Sequence, residues 1–223
     1  MKNAKIIDAM ELSALAYKDI QPVYSNVSLA VIDDRCGVQC YLRRQAGTIC
    51  ISFRGSNSAE DWKTNLRFWK KTIPYGNTRS KIRVHSGFLY AYKNPLVRES
   101  IHGKMSEDIK RILITGHSQG AALAVLCAVD LEYNFPEKDI EVILFGCPRV
   151  GNGAFVRSYN KRVCKTVRVE NGNDIVTKVP PKLLGYCHVG AKLHIGAVRI
   201  PGFVSLRAHY PHEYYAKLIK AML

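Results

Sequence analysis

The sequence predicts an α/β fold in which a central, mostly parallel sheet is flanked by helices. Three observations predict it. Segments 111–115 and 141–145 each contain a continuous apolar run, which is typical of strands covered on both faces. Residues 120–133, between them, repeat apolar side chains at helical spacing. The 223 residues exceed the usual domain size of about 150 but contain no Gly/Ser linker, so we interpret residues 1–223 as one domain.

The remaining elements follow the same alternation of strand and helix patterns. Residues 4–17 predict an amphipathic helix, and residues 211–223 predict a closing helix with Pro211 in its first turn. Short runs of β-branched or aromatic residues predict further strands. These strands lie at 30–32, 38–42, 48–53 and 163–169.

The composition is that of a globular protein with an excess of positive charge. Hydrophobic residues make up 47% of the chain, and 33 Lys and Arg against 18 Asp and Glu leave a net charge of +15. Such an excess favours polyanions, either nucleic acid or anionic lipid headgroups. No nucleic-acid recognition motif accompanies the charge, so nucleic acid is not a predicted partner. No apolar run is long enough to span a membrane, and Asp8 and Glu11 interrupt the N-terminal segment where a secretory signal would be apolar.

The seven cysteines are an odd number, and most lie in apolar segments, as Cys50 and Cys127 do. We expect reduced thiols that pack as small hydrophobic groups, and hence an intracellular, reducing location. Cys36 and Cys40 are close in sequence, but no second pair of ligands lies at zinc-site spacing. No metal site is predicted.

Residues 112–122, Ile-Leu-Ile-Thr-Gly-His-Ser-Gln-Gly-Ala-Ala, carry the clearest chemical signal. A predicted strand runs into Gly116-His117-Ser118-Gln119-Gly120 and directly out into a predicted helix, the context that a nucleophile elbow requires. Glycines two residues before and after the serine leave room for a tight turn. The helix also directs its N–H groups toward the site where an oxyanion would develop. Ser118 is therefore the predicted nucleophile.

A serine nucleophile needs a base and an acid that orients the base, in the chain order Ser, Asp, His on this type of fold. Most acids after Ser118 fall in predicted helices or in the loop after residue 133, which leaves Glu170 and Asp174. Asp174 follows a predicted strand within a turn-rich stretch, at the sheet edge where such an acid belongs. We favour Asp174, with Glu170 as the alternative.

Several blocks of the chain resemble the class 3 lipases, the fungal-lipase-like branch of the α/β-hydrolases. The blocks occur in the family's order and span residues 49 to the C-terminal helix. They are Phe53-Arg54-Gly55-Ser56 followed by Asp61-Trp62, Val84-His85-Ser86-Gly87-Phe88, the serine elbow, residues 145–152 followed by Phe155, and Asn173-Asp174-Ile175-Val176 with Pro180. Together they predict an α/β-hydrolase fold.

The resemblance implies a serine ester hydrolase that uses neither a metal nor an organic cofactor. Ser118 would be its nucleophile and Asp174 its acid. Ser56 would supply one oxyanion donor, and the backbone N–H of Gln119, after the nucleophile, would supply the other. Gln119 stands where leucine is commonest in lipases, but a backbone donor does not depend on the side chain.

The base of the family lies just before or within the last helix, which leaves His209 and His212. With Pro211 in the first helical turn, His209 falls in the preceding loop. Its tyrosine five residues later resembles the pattern of intracellular family members, whereas His212, with a tyrosine three residues later, resembles the secreted fungal spacing. We favour His209 and keep His212 open.

In fungal relatives a short amphipathic lid follows the Phe-Arg-Gly-Ser block, which here would be residues 59–66. Trp62 and Trp69, the two tryptophans of the chain, lie in or next to it. The basic residues around them favour docking to an anionic lipid surface. The alternatives are tryptophans that pack the lid onto the sheet and a solvated basic face that serves only solubility. These are Lys63, Arg67, Lys70, Lys71, Arg79, Lys81 and Arg83.

The predicted substrate is a lipid ester, cleaved by a triacylglycerol-lipase-like enzyme, and triacylglycerol, monoacylglycerol and phospholipid all remain open. A phospholipase A-type esterase acting on anionic membranes is the first alternative. The second is a non-enzymatic protein that binds lipid surfaces on a lipase scaffold. The pattern indicates no oligomeric state.

Overall fold

A computed structural model describes residues 3–33, 37–55, 70–73, 77, 79–197 and 200–222. Its helices are α1 Asn3–Leu15, α2 Ser86–Tyr92, α3 Pro95–His102, α4 Gln119–Asn134, α5 Gly153–Arg162 and α6 Pro211–Met222. Its longer strands are β1 Ser28–Asp33, β2 Gln39–Gln45, β3 Thr48–Phe53, β6 Arg111–His117, β7 Asp139–Phe145, β9 Thr166–Asn171 and β11 Ala191–Ile195. Short strands are β4 Lys70–Thr72, β5 Arg83–His85, β8 Gly151–Asn152 and β10 Tyr186–Cys187.

Within these residues a seven-stranded sheet has the order β1-β2-β3-β6-β7-β9-β11. The first three strands pair antiparallel, and every later pair is parallel. The short strands form a second, antiparallel sheet in the order β10-β8-β5-β4. The predicted mostly parallel sheet with flanking helices is confirmed.

Helices cover both faces of the large sheet, as strand β7 illustrates. Its Val142 and Leu144 belong to the core cluster that contains α4, while Ile143 and Phe145 pack in the cluster with α1 and α6. Successive side chains of a strand point to opposite faces, so a strand covered on both sides is apolar throughout. This is why segment 141–145 lacks the alternation of a half-exposed strand.

Two predicted strand boundaries were wrong by three residues, more than any other strand boundary. The strand predicted at 163–169 begins only at Thr166, because Val163 ends α5 by donating its backbone N–H to Tyr159 O. The strand predicted at 38–42 continues to Gln45, so that Arg43 lies inside the sheet. A charged residue within a strand breaks the apolar pattern from which strands are predicted.

Across the described ranges, no helix is both long and apolar enough to cross a membrane. The same residues contain no group of three His, Cys, Asp or Glu side chains that could hold a metal ion.

Candidate active site

Ser118 lies at a sharp turn between β6 and α4. Its backbone has φ 60° and ψ −128°, a conformation that a non-glycine residue adopts only under strain. A Cβ atom at Gly116 would lie 2.6 Å from the backbone of Gly120, and one at Gly120 would lie 2.8 Å from the carbonyl oxygen of Arg54. The two glycines therefore make this turn possible, and the Ser118 N–H is tied to Phe145 O of β7 at 3.0 Å.

Asp174 and His209 lie in direct contact at the same edge of the sheet. The distance between His209 Nδ1 and Asp174 Oδ2 is 2.9 Å, and Asp174 is fully buried. A carboxylate can only accept, so His209 donates from Nδ1, and Nε2 keeps its lone pair. This is the tautomer that a general base requires.

Asp174 accepts two further hydrogen bonds that fix its orientation. The Tyr214 hydroxyl donates to Oδ2 at 2.6 Å, and the Val176 N–H donates to Oδ1 at 2.8 Å. Tyr214 is itself fully buried on α6 and accepts from the Asn171 N–H at 3.2 Å. Burial near the Asp174 charge raises the pKa of Tyr214 well above its usual value, so it stays a donor.

His117 connects the elbow to His209. The two imidazole rings stack with centroids 4.4 Å apart, and His117 Nε2 lies 2.7 Å from the carbonyl oxygen of His209. Since a carbonyl only accepts, His117 donates from Nε2 and accepts at Nδ1 from the Tyr17 hydroxyl, 2.8 Å away. Burial lowers the pKa of His117 well below its usual value, so the ring is neutral. Because His117 directly precedes Ser118, this contact holds the His209 ring beside the elbow.

Gly146, directly after β7, makes room for the acid and base. Its φ is +56°, and a Cβ there would lie 2.9 Å from His209 Nδ1 and 3.0 Å from Asp174 Oδ2. Any side chain would therefore displace one of them. The residue belongs to the recognised block 145–152, but sequence reasoning assigned it no role.

The competing candidates lie elsewhere. His212 is exposed and stacks on Tyr210 with ring centroids 5.6 Å apart. Glu170 is buried in an ion pair with Arg168. His188, a further histidine after Asp174 in the chain, has its Nε2 2.8 Å from Thr177 O.

Of the two predicted oxyanion donors, Gln119 belongs to the described residues and Ser56 does not. Gln119 is the first residue of α4, so its backbone lies at the positive end of the helix dipole. Ser56, the predicted lid at 59–66 with Trp62, and Trp69, Lys63 and Arg67 lie outside the described residues. The preceding Gly55 packs so closely on His117 that a Cβ would lie 2.8 Å from its carbonyl oxygen.

Sequence reasoning missed the positions of Tyr17, Tyr214 and Gly146 in the site. The tyrosine five residues after His209 is Tyr214, so the spacing that favoured His209 contained the signal for the residue that orients Asp174. Tyr17 has no comparable signal, because its contact with His117 joins residues 100 positions apart.

Residues 50–184, more than half of the chain, match the model of the Lipase (class 3) family. The chain belongs to the class 3 lipase family. Phospholipase A(1) DAD1, chloroplastic, of Arabidopsis thaliana is 35% identical over 175 residues, 70% of this chain and 38% of the relative. A lipase of Rhizomucor miehei is 34% identical over 154 residues, 66% of this chain and 42% of the relative. The lipase-family chain thus spans less than half the length of either relative.

Solved structures place this family member in the α/β-hydrolase fold. A triacylglycerol lipase whose catalytic centre is a serine protease triad superposes with a TM-score of 0.74 at 25% identity, covering 92% of each chain. The triacylglyceride lipase of Rhizomucor miehei superposes with a TM-score of 0.77 at 24% identity, again over 92% of each chain. The α/β-hydrolase fold expected from the sequence is confirmed.

Proposed function

We propose that this family member is a serine carboxylic-ester hydrolase that cleaves lipid esters. The observation that carries the proposal is the 2.9 Å contact between His209 Nδ1 and Asp174 Oδ2. The His209 ring also stacks on His117, which directly precedes Ser118 at its strained turn. The relatives support the same chemistry, since they include lipases and a triacylglycerol lipase with a serine protease triad.

In this mechanism Ser118 Oγ attacks the ester carbonyl carbon while His209 Nε2 takes the hydroxyl proton. Asp174 stabilises the resulting imidazolium through the Nδ1–H bond. The tetrahedral intermediate collapses when His209 returns the proton to the departing alcohol, which leaves an acyl group on Ser118. Water activated by His209 then adds to the acyl carbon, and the carboxylic acid leaves while Ser118 regains its proton.

The oxyanion of each tetrahedral intermediate would accept from the Gln119 N–H and from Ser56. Removing one such donor commonly raises the barrier by about 3 kcal/mol. The N-terminal end of α4 adds a favourable dipole at the same point.

A fluorophosphonate probe tests the nucleophile directly. We expect the probe to label the wild-type chain at Ser118 and to leave Ser118→Ala unlabelled, with no hydrolysis of a short p-nitrophenyl ester. Ser52→Ala, which removes another buried serine, should keep both labelling and turnover. Labelling that survives in Ser118→Ala rules out the assignment, and an unlabelled wild type favours the non-enzymatic lipid-binding alternative.

Histidine substitutions separate the two candidate bases. His209→Asn should abolish turnover of the short ester. His212→Asn should leave it near wild type, because His212 is exposed and, within the described part of the chain, does not contact Asp174. The opposite result would move the base to His212.

We propose triacylglycerol as the preferred substrate. The triacylglycerol lipase of the same fold supports it, while the plant phospholipase A(1) supports a phospholipid ester as the second candidate. Rates on triacylglycerol emulsions and on phosphatidylcholine vesicles, measured with the same preparation, decide between them. Faster release of fatty acid from the phospholipid would replace the first candidate by the second.

We further propose that the enzyme docks to anionic lipid surfaces through the basic residues after the lid. Lys71, Arg79, Lys81 and Arg83 are exposed, and each cation near an anionic leaflet adds about 1 kcal/mol of attraction. Lys70 is less suited, because its amine donates to Leu184 O and lies 4.5 Å from the Tyr186 ring centroid.

Salt dependence tests this docking. Activity on anionic vesicles should fall steeply between low and physiological ionic strength, while hydrolysis of a soluble ester should barely change. Replacing Lys71, Arg79 and Lys81 with Gln should flatten the vesicle dependence, and Lys161→Gln on α5 provides the matched control. Equal salt dependence on both substrates would contradict the proposal.

An intracellular, reducing location is also part of the proposal. Cys40, Cys127 and Cys147 support it, because these buried thiols pack in the large core cluster as hydrophobic groups. Free-thiol counting in protein isolated from its native source under denaturing, non-reducing conditions tests it, and a disulfide involving one of the three would contradict it.

A further inference from the structure

A cleft opens at the edge of the sheet opposite Ser118. It has a volume of about 450 Å³ and lies beside Arg43, near the end of β2, and Arg111, the first residue of β6. Ser118 follows the last residue of β6, so at about 3.3 Å per residue the two sites are about 20 Å apart. The cleft is therefore separate from the candidate active site.

Arg43 is a buried cation on the wall of this cleft. Only 7% of the residue is exposed. Its guanidinium donates to Gln21 Oε1 and, at 3.4 Å, to Ser52 Oγ, and both acceptors are neutral. Among the described residues, Nε has no acceptor and no carboxylate forms an ion pair with Arg43.

Such an arrangement is unfavourable unless something else compensates the charge. A guanidinium has five N–H donors, and a buried charge without a counter-charge is costly. Burial accordingly lowers the pKa of Arg43. An anion in the cleft would offset this cost.

The rest of the lining has the same character. Arg111 adds a second guanidinium, whose Nε donates to Thr48 Oγ1 at 3.3 Å, and the described lining contains no carboxylate. Leu12, Tyr24 and Val27 form an apolar wall. Guanidinium groups bind carboxylates and phosphates in a bidentate manner, whereas an apolar wall favours a hydrocarbon chain.

We propose that this cleft binds an amphiphilic oxyanion, an alkyl phosphate or an alkyl carboxylate. Arg43 and Arg111 hold the anionic head, and the alkyl chain packs against Leu12, Tyr24 and Val27. The cleft has the size of ordinary small-molecule sites, about 300–1,000 Å³. The proposal does not depend on ester hydrolysis by Ser118.

Calorimetric titration of the full chain with octyl phosphate and with octanoate tests the proposal. Octanol and octyltrimethylammonium are the neutral and cationic controls, and we expect neither to bind. Preference for octyl phosphate identifies a phospholipid-type head and preference for octanoate identifies a fatty acid, and either supports the proposal. Inorganic phosphate binding as tightly as octyl phosphate would overturn the amphiphile assignment.

Arginine variants connect the binding to this cleft. Loss of a charge-assisted contact of about 1.5–3 kcal/mol corresponds to at least a tenfold rise in Kd for Arg43→Met. Arg111→Gln, at an exposed position, should raise Kd about tenfold and carries the test if Arg43→Met does not fold. Arg157→Gln, an exposed substitution on α5, should leave Kd unchanged. Equal Kd in wild type and Arg111→Gln would overturn the proposal.

Two cysteines of the same chain locate the ligand. Cys50 lines the cleft, whereas Cys164 is exposed outside it. Saturating ligand should slow the reaction of Cys50 with N-ethylmaleimide, followed by mass spectrometry, and should leave the rate at Cys164 unchanged. Unchanged labelling of Cys50 would show that the amphiphile binds elsewhere, including the active site, and would overturn the proposal.

Discussion

The two edges of the large sheet differ in how a buried charged side chain is stabilised. At the carboxyl edge, the fully buried Asp174 accepts hydrogen bonds from Tyr214, Val176 and His209. At the amino edge, Arg43 is almost as buried but meets two neutral acceptors on the wall of an open cleft. A charge that the protein itself satisfies is fixed in position, as an orienting acid must be. A charge that the protein leaves uncompensated remains available to a ligand.

The largest expected effect comes from removing the charge at the carboxyl edge. Asp174→Asn should lower kcat about 10⁴-fold with little change in KM, because an amide no longer favours the Nδ1–H tautomer or stabilises the imidazolium. Steady-state kinetics on a soluble ester measures this. If Glu170→Gln has this effect and Asp174→Asn does not, the acid is Glu170.

Steric displacement of the same pair should cost about 10²-fold in kcat. In Gly146→Ala the added Cβ would lie 2.9 Å from His209 Nδ1, and a misplacement of about 1 Å has this order of effect. Gly202→Ala is the matched control, because Gly202 also has a positive φ, +81°, but a Cβ there meets nothing within 4 Å. An equal loss of kcat in both variants would show that strain in the backbone, rather than the displaced pair, explains the loss.

Removing one donor to Asp174 should have a smaller effect, about tenfold in kcat. Tyr214→Phe deletes the 2.6 Å bond to Oδ2 and leaves His209 in place, at a cost of about 1.5–3 kcal/mol in unfolding free energy. Tyr215→Phe, one residue later, removes an exposed bond to Glu11 and should change neither quantity appreciably. A loss of stability without any change in kcat or its pH profile would limit Tyr214 to a structural role.

The smallest predicted effect concerns a buried histidine away from both sites. Burial lowers the pKa of His85 from its ordinary 6.5 to about 4, so the unfolded chain binds the proton first as pH falls. Stability is therefore lost below pH 6.5, by about 1.4 kcal/mol from this residue at pH 5.5.

His85→Asn should remove this share of the acid sensitivity, because asparagine does not bind the proton. Asparagine is also a good N-cap, so α2 should be preserved. Denaturant unfolding at pH 7 and pH 5.5 measures the difference. His212→Asn, at an exposed position, serves as the control. An unchanged difference between the two pH values in His85→Asn would contradict the prediction.

The sequence pattern was sufficient to predict those elements whose determining residues are neighbours in the chain. The elbow glycines, the strand before Ser118 and the helix after it lie within one short segment, and each element formed as predicted. Asp174 could be selected because it follows a strand in a parallel sheet, where carboxyl ends share one edge. The choice between His209 and His212 rested on spacing alone.

Contacts between distant segments could not be predicted in the same way. Tyr17 reaches His117 from the N-terminal part of the chain, and Tyr214 reaches Asp174 from the last helix. Arg43 was expected to lie beyond the end of its strand, yet β2 continues through it to Gln45. Its burial depends on pairing with β1 and β3 and on the contact with Gln21, none of which its sequence neighbours specify.

The sequence by itself determined the fold class, the family and the candidates for the triad. These depend on periodicity and on short motifs, whose physical requirements are met within a few residues. Only the tertiary structure decided that His209 meets Asp174, that Gly146 makes room for both, and that Arg43 is buried without a counter-charge. Those outcomes depend on which distant side chains share a small volume, and such proximity is set by how the helices pack on the sheet.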